Sequence, residues 1–549
     1  MVASMPALVP DLFSPVATSR IEVEPTRLAF ALAFASGVSG GLFSDALAKA
    51  TVEPSTWDPS QFTNDLFVQN FVSLCFKVRA GDGDAVVATA HLVRVLTHPP
   101  SDPAVVEFRR AITRELSEDP KLREELERLY VALGRFRTLL EGATGIGKWD
   151  ANRRQLDLLA LIKEIIDCMA EGFANAKSGL ARLAEFGGRV RAGEPYQSLS
   201  DLLRYDAELA TLNLRIKVGA DGKIRGFQLL AVEESSDNPF ASSPLRRWLA
   251  KIELFLRGYS FGDGEVMARL VDAVYEGIAD EVVHFVQLLG EIELYLGALG
   301  FRDQARAAGL EVCLPDIVSV DEPRELVALF NPLLLAHGIK PVPCDLKDDR
   351  HDTTILLTGP NSGGKTRLLQ SLGLTQLLAQ GGLFVPARSG KLALAPALVV
   401  SLIQNTLADQ AEGRLGMELI RIRALFERLP PGAMVILDEL CSGTNPSEGE
   451  EIFELVIRML TRLRPQAIIT THFLAFAARL EREKKIQDLR FLQVALGKDH
   501  EPTYQFTPGV AATSLAGHAA ARLGVTGDQL MSLIERNIKE ARPKAEAED

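Results

Sequence analysis

The sequence predicts a mainly α-helical amino-terminal part with an inserted β-hairpin, followed by a carboxyl-terminal α/β domain built on a parallel sheet. From about 103 to 210, and again from 245 to 310, apolar residues recur every three or four positions, which is typical of packed amphipathic helices. After Thr353, short and uniformly apolar segments alternate with helical stretches, as in a sheet buried on both faces. The chain has 549 residues, too many for one hydrophobic core.

The expected domain boundaries follow these changes of pattern. Residues 1–100 mix Pro, Ser and Gly clusters with apolar helices, and no fold is assigned to them. Residues 101–330 form the helical region with the hairpin, residues 331–530 the α/β domain, and residues 531–549 the end of a helix and a charged tail. The hairpin is predicted because Leu212 to Val218 and Ile224 to Val232 alternate apolar and polar residues around the turn residues 219–222.

Composition indicates an ordinary soluble globular protein, with 47% hydrophobic and 24% charged residues. Its net charge is −12, so contact with nucleic acid would require a local basic surface. The five cysteines are scattered without a C-x-x-C pair, which favours buried, reduced thiols in a cytoplasmic protein over a structural zinc site. The apolar run from Leu28 to Ser44 is shorter than a membrane span, and we interpret it as a buried helix with a Gly-rich break.

A phosphate-binding loop is predicted where the first apolar strand of the α/β domain meets a helix. Residues 359–366 fit the pattern G-x-x-x-x-G-K-[ST], in which backbone N–H groups and the helix N-terminus attract phosphate oxygens. Lys365 is expected to reach the β- and γ-phosphates of ATP, and the Thr366 hydroxyl to bind magnesium. The nucleotide-binding residues predicted from this pattern are Gly359, Pro360, Asn361, Ser362, Gly363, Gly364, Lys365 and Thr366.

Two further strands are followed by residues suited to ATP hydrolysis. Asp438 and Glu439 end the strand Met434 to Leu437, where Asp438 can hold Mg2+ and Glu439 can orient and deprotonate the attacking water. His472 follows the next strand, and we expect it at the same sheet edge as a sensor of the γ-phosphate. The predicted cofactors are therefore ATP and Mg2+.

These segments together resemble the MutS family. The phosphate loop GPNSGGKT is followed by GLFVPA from Gly382, then by LDELCSGTNPSEGEE, by TTHF, and by Pro508-Gly509 with Ser514 and Gly517. The resemblance covers about 200 residues and implies an ABC-like P-loop ATPase that works as a homodimer in DNA repair. An ABC transporter subunit fits less well, because the chain lacks an L-S-G-G-Q segment and a membrane partner motif.

The resemblance also implies two elements that act beyond the nucleotide. In the family, a serine loop reaches the partner subunit's nucleotide; aligned on Glu418, Gly413 occupies that position and Arg414 lies beside it, so both are expected to contact nucleotide in trans. Family members also carry a clamp that touches the DNA backbone. The hairpin lies between long helical stretches as a clamp would, and its basic residues are Arg215, Lys217, Lys223 and Arg225.

Several features depart from the family pattern. Only about 330 residues precede the ATPase region, so the mismatch-reading and connector domains are not expected, and no Phe-x-Glu motif for mismatch recognition occurs. No nuclease-like tail is expected, and no adenine-stacking aromatic residue is evident from Pro341 to Leu346. The favoured function is a homodimeric ATPase that recognises DNA shape or backbone. The alternative is an ATP-driven switch that acts on a protein or ribonucleoprotein partner.

Overall fold

The backbone divides into two compact units. The computed structural model describes residues 9–36, 40–80, 83–142, 151–208, 211–218, 224–233, 263–360, 362–402, 414–441, 445–497, 501–512 and 524–541. The first unit comprises Met1–Ser55, Gln69–Ala307 and Gln380–Phe384, and the second comprises Thr56–Val68, Ala308–Ala379 and Val385–Asp549. The division after residue 307 differs from the expected boundary at 330, and a short early segment, 56–68, belongs to the second unit.

The first unit is mainly helical, as the spacing of apolar residues predicts. Its helices are α1 Val23–Ser36, α2 Leu42–Lys49, α3 Val68–Cys75 (whose first residue belongs to the second unit), α4 Thr89–Thr97, α5 Pro103–Glu118, α6 Pro120–Glu141, α7 Ala151–Gly172, α8 Ala181–Ala192, α9 Glu194–Glu208, α10 Asp263–Val282 and α11 His284–Ala307. Two short strands, β1 Arg79–Ala80 and β2 Gly83–Asp84, pair antiparallel. Residues 245–262, predicted as helical, lie outside the described residues.

Helix α11 forms the centre of the first unit. Its residues 284–299 are all buried, and Phe285 packs against Phe136 with ring centroids 5.6 Å apart. The segment before α1 is fixed to α11 by buried hydrogen bonds: Glu291 accepts from the Leu12 N–H at 2.7 Å, and Gln287 accepts from the Arg20 N–H at 2.8 Å. These bonds satisfy backbone donors that burial would otherwise leave unpaired.

The run from Leu28 to Ser44 includes the end of α1 and the start of α2, and the described part of the segment between these helices contains Gly40 and Gly41. Its predicted burial is wrong for one face. Phe30 and Phe34 are buried, whereas Leu28 and Leu32 are 64% and 59% exposed, because α1 packs through one side only. Among the described residues no single helix is long and apolar enough to cross a membrane, and α10 and α11 meet that requirement only as a bent pair.

The predicted hairpin is present as two antiparallel strands, β3 Thr211–Val218 and β4 Ile224–Glu233, with Leu212 paired to Val232. The turn between them, including Lys223, lies outside the described residues. The side chains of Arg215, Lys217 and Arg225 are not described, so the clamp role of this hairpin stays a prediction.

The second unit contains the predicted parallel sheet. The strands of the unit are β5 Asp316–Val318, β6 Arg324–Leu329, β7 Cys344–Asp348, β8 Thr354–Thr358, β9 Ser389–Ala393, β10 Leu398–Ser401, β11 Met434–Leu437, β12 Gln466–Thr470, β13 Leu489–Leu496 and β14 Pro502–Pro508. Its helices are α12 Pro332–Ala336, α13 Lys365–Gln380 (whose last residue belongs to the first unit), α14 Arg414–Arg428, α15 Pro446–Arg462, α16 Leu474–Glu483 and α17 Gly527–Ala541.

Six strands form the main sheet in the order β10-β11-β12-β8-β13-β14, and all neighbours are parallel except β13 and β14. Every residue of β8, β11 and β12 is buried, which explains their uninterrupted apolar sequences. A second sheet has the order β5-β9-β6-β7. Because β8, β11 and β12 run parallel, the residues that follow them meet at one edge of the main sheet.

Candidate nucleotide site

The predicted phosphate loop connects β8 to α13. Gly359 and Gly364 adopt φ values of +144° and +84°, a region that side-chain-bearing residues rarely enter. A Cβ atom at Gly359 would lie 2.5 Å from Val494 Cγ2, and one at Gly364 would lie 3.0 Å from Tyr504 Cδ1. Both positions therefore require glycine. Gly363 donates its N–H to the Pro360 carbonyl at 2.9 Å, Ser362 is exposed, and Asn361 lies outside the described residues.

Lys365 is the first residue of α13 and is almost completely buried. Its ammonium group donates to the carbonyls of Gly359 at 3.0 Å and Pro360 at 3.2 Å, and its Nζ lies 4.0 Å from Glu439 Oε1. Burial lowers the pKa of Lys365, and the carboxylates of Glu439 and Asp438 act in the opposite direction. A buried cation curled over the loop suits the binding of a phosphate chain.

The acidic pair directly follows β11. The Asp438 N–H donates to the Ser401 carbonyl at 2.9 Å, and Asp438 Oδ2 accepts from the Thr366 hydroxyl at 2.5 Å. Glu439 has φ +49°, an uncommon conformation for a residue with a side chain, and its N–H donates to Thr470 Oγ1 at 2.8 Å. The predicted loop and the predicted acidic pair are thus in direct contact.

The residues present fit a magnesium ion. The Thr366 hydroxyl and the Asp438 carboxylate are hard oxygen donors that already touch each other. In the part of the chain that the structure describes, no group of three or more His, Cys, Asp and Glu side chains could hold a metal by itself. Magnesium commonly combines one or two protein oxygens with substrate phosphates, so a hydroxyl and one carboxylate are a suitable set.

His472 follows β12 at the edge where Asp438 and Glu439 follow β11. Its ring is exposed and packs on Phe473 with centroids 4.3 Å apart. The register of the two strands pairs Leu437 with Ile469, so the sheet brings this histidine to the expected edge. Its role as a γ-phosphate sensor stays a prediction.

Sequence reasoning missed an aromatic residue beside the phosphate loop. A cavity of about 250 Å³ lies next to Gly364 and is lined by Ile339, Val342, Tyr504 and Phe506. Ile339, Val342 and Tyr504 are exposed, and Gln505 fixes β14 to this wall by donating to the Pro343 carbonyl at 2.9 Å. An exposed aromatic ring at the mouth of an apolar pocket is suited to stacking on a nucleobase. The only local signal was the alternation from Thr503 to Phe506.

The predicted trans-acting residues are described only in part. Gly413 lies outside the described residues. Arg414 begins α14, but its side chain is not described. The expected closing segment returns to the site at its start: Gly509 donates to the Phe491 carbonyl at 3.0 Å, and the Ala511 N–H donates to Thr358 Oγ1 at 2.9 Å. Ser514 and Gly517 lie outside the described residues.

Comparison with known proteins agrees with this geometry. The family model for MutS domain V matches residues 355–542, which contain the loop, the acidic pair and α17. Proteins named Endonuclease MutS2 are similar: that of Streptococcus mutans is 31% identical over 242 residues, covering 44% of this chain and 29% of the relative. The Thermomicrobium roseum protein is 29% identical over 268 residues, covering 47% and 32%, and that of Thermus thermophilus 31% over 243 residues, covering 43% and 31%.

The match therefore spans about a third of the length of these curated relatives. The match to the family model lies in the region that holds the nucleotide site, and MutS domain V is the family's ATPase domain. The resemblance to MutS seen in the loop, the acidic pair and the Thr-His segment is confirmed over residues 355–542 by the family model for MutS domain V, and the similar proteins named Endonuclease MutS2 support it.

Proposed function

We propose that this chain is a DNA-binding ATPase whose nucleotide sites are completed by a second copy of itself. The observation that carries the proposal is the contact among Lys365, Thr366, Asp438 and Glu439 at one sheet edge. Each of these side chains has the chemistry that ATP hydrolysis requires. Lys365 and Thr366 come from the start of α13, and Asp438 and Glu439 come from the segment directly after β11.

The residues divide the work of hydrolysis. Lys365 binds the β- and γ-phosphates and neutralises charge that develops on them. Glu439 orients the attacking water and accepts its proton, while His472 contacts the γ-phosphate side of the site. Thr366 and Asp438 would hold magnesium, which when bound supplies electrostatic stabilisation of the phosphate oxygens.

Helix α17 supports the proposal of a homodimer. It is exposed along its described length, with Leu530, Met531, Leu533, Ile534 and Ile538 between 42% and 57% exposed. An isolated helix of 15 residues is marginal in water, so an apolar helix of this kind needs a packing partner. A second copy is the occupant that also supplies the trans-acting Gly413 and Arg414.

The dimer is tested by the double variant Leu530→Lys, Ile534→Lys, with Gln529→Lys as the control for added charge on the same helix. Light scattering of the wild type and the control should give a dimer mass, and the double variant a monomer mass. An unchanged dimer in the double variant contradicts the role of α17.

Arg414→Ala should lower turnover about tenfold or more without weakening ATP binding, and unchanged turnover removes Arg414 from the proposal.

The proposed DNA contact uses the hairpin residues Arg215, Lys217, Lys223 and Arg225. Four basic residues within the segment 211–233 of an acidic protein would provide local positive charge for phosphates. Recognition would depend on DNA shape or backbone, because such contacts carry no base information. Nucleotide-driven closure of the dimer would change the grip on DNA.

Steady-state ATP hydrolysis tests the function. The purified chain is assayed alone and with homoduplex, mismatched, single-stranded and four-way junction DNA, with Glu439→Ala as the control. Stimulation by one branched form, lost on charge reversal of the four hairpin cations, supports the proposal. No Glu439-dependent hydrolysis under any condition overturns it.

A second candidate is an ATP-driven switch that acts on a protein or ribonucleoprotein partner. The net charge of −12 favours it, because bulk acidity opposes binding to nucleic acid phosphates. Hydrolysis that depends on Glu439 but responds to none of the DNA forms would support this candidate over the first.

A further inference from the structure

We propose that Thr470 is the positioning residue of the catalytic acids: its single hydroxyl fixes both Asp438 and Glu439. The inference rests on the proposed ATPase function and deepens it. Thr470 is the last residue of β12 and is fully buried. It belongs to the Thr-Thr-His segment, in which the sequence had pointed only to the histidine.

The Thr470 hydroxyl uses its donor and its acceptor on adjacent residues. Its oxygen accepts the N–H of Glu439 at 2.8 Å, and its proton is donated to Asp438 Oδ1. The pairing of Leu437 with Ile469 in the parallel sheet places Thr470 beside the first residues after β11. A hydroxyl has one proton to donate and can accept at the same time, so one threonine satisfies both partners.

The contact with Asp438 determines which carboxylate oxygen faces the phosphate loop. Thr470 occupies Oδ1, and Oδ2 accepts from the Thr366 hydroxyl at 2.5 Å. Without Thr470, rotation of the carboxylate would no longer be restrained on the strand side. The oxygen offered toward Thr366, where magnesium would bind, would then lose its fixed direction.

The contact with Glu439 holds a strained backbone. Glu439 has φ +49°, and such conformations persist only where the surroundings fix them. The Thr470 oxygen is the acceptor for the N–H of this residue. Removing that acceptor leaves the N–H without its partner and frees the backbone that aims the carboxylate at the water.

Thr354 provides a matched control. It is a fully buried threonine on β8, the strand adjacent to β12, and its hydroxyl has no hydrogen-bond partner among the described residues. Thr354→Val makes the same chemical change in the same sheet as Thr470→Val. Thr354 contacts neither Asp438 nor Glu439, so this variant measures the effect of replacing a buried threonine without disturbing the acids.

The test compares Thr470→Val, Thr470→Ser, Thr470→Ala and Thr354→Val in the full chain. We measure kcat and KM for ATP, the magnesium concentration for half-maximal turnover, and hydrogen exchange of the peptide containing Glu439 without nucleotide. Thr470→Val should lower kcat at least about tenfold with KM changed less than about threefold, because misaligned acids slow the chemical step more than binding. Its Glu439 peptide should exchange faster.

The serine and alanine variants at position 470 distinguish the effect of the hydroxyl group from the effect of altered packing. Both lack the methyl group of threonine, and only serine keeps the hydroxyl. Thr470→Ser should recover most of kcat and the slow exchange, Thr470→Ala should recover neither, and Thr354→Val should match the wild type in kcat and in exchange. Wild-type kcat in Thr470→Val, or equal kcat in the serine and alanine variants, overturns the inference. If the wild-type chain shows no Glu439-dependent hydrolysis, the proposed function is overturned instead. In that case the exchange measurement still tests the inference: unchanged exchange of the Glu439 peptide in Thr470→Val would show that Thr470 does not hold the Glu439 backbone.

Discussion

We predict that the first unit loses stability as pH rises, because it contains the buried carboxyl group of Glu293. This residue lies fully buried on α11, where its carboxyl group accepts from the Ala88 N–H at 2.8 Å and the Tyr130 hydroxyl at 3.2 Å. Burial raises its pKa from 4.5 to about 7, although these two hydrogen bonds and the nearby Arg137 act in the opposite direction. The folded chain therefore holds this proton more tightly than the unfolded chain does.

The sign follows from which state releases the proton first. Above pH 4.5 the unfolded chain ionises at Glu293 while the folded chain does not, so the free energy of unfolding falls as pH rises toward 7. Once both states are ionised, the full penalty is about 3 kcal/mol, because the pKa is about 7 in the folded chain and 4.5 in the unfolded chain. About 1 kcal/mol of this penalty develops between pH 6 and pH 8.

Glu293→Gln removes the ionisation and keeps one acceptor oxygen for the Ala88 N–H, while its NH2 group can donate to the Tyr130 hydroxyl oxygen. Relative to the wild type, the variant should gain about 1 kcal/mol of unfolding free energy between pH 6 and pH 8, measured by urea unfolding followed by fluorescence. Glu24→Gln, at a side chain 80% exposed, is the control for loss of a carboxylate. His91, whose pKa burial lowers to about 4, titrates in wild type and variant alike and cancels in the difference. A difference that does not change with pH refutes the reasoning.

Three further predictions concern the second unit. Tyr504→Ala should weaken ATP binding by about 1–3 kcal/mol through lost stacking, whereas Tyr504→Phe should bind normally in calorimetric titration, and equal affinities would remove the ring from the base site. Glu439→Gly should be about 1 kcal/mol more stable than Glu439→Ala and should therefore unfold at a higher temperature, because glycine adopts the φ of +49° at this position without strain and alanine does not; the reverse order of unfolding temperatures would contradict the strain. Gln466→Leu should cost roughly 1.5–3 kcal/mol, since it removes a 3.0 Å acceptor from the fully buried Arg324, and Arg324→Met in the same chain should recover most of it in urea unfolding.

The sequence predicted the parts of the site that depend on short-range order. The loop from Gly359 to Thr366 is recognisable because a strand, a set of glycines and a helix start must occur at fixed spacing. Asp438 and Glu439 are recognisable because a fully buried strand ends directly before them. Parallel neighbours then bring loop and acids together without any further information from the side chains.

Other features depend on contacts between distant parts of the chain. Residues 56–68 belong to the second unit because Trp57 donates to the Ala395 carbonyl at 2.9 Å and Asp65 accepts from the Leu402 N–H at 2.6 Å. Both contacts join residues more than 300 positions apart in the sequence, so no local sequence pattern predicts them. Tyr504 was missed for the same reason, since it reaches Gly364 from a strand near the end of the domain.

Backbone strain explains why the site uses the residue types that it does. Gly359, Gly364 and Glu439 all have positive φ where the phosphate loop meets the acids. The two loop positions can be glycine, because there the backbone N–H groups do the work and a Cβ atom would collide with Val494 or Tyr504. At position 439 the chemistry requires a carboxylate, so the strain cannot be removed by glycine without losing the base. The hydrogen bond to Thr470 stabilises this conformation, which is why a residue of the neighbouring strand belongs to the catalytic arrangement although it needs no contact with nucleotide.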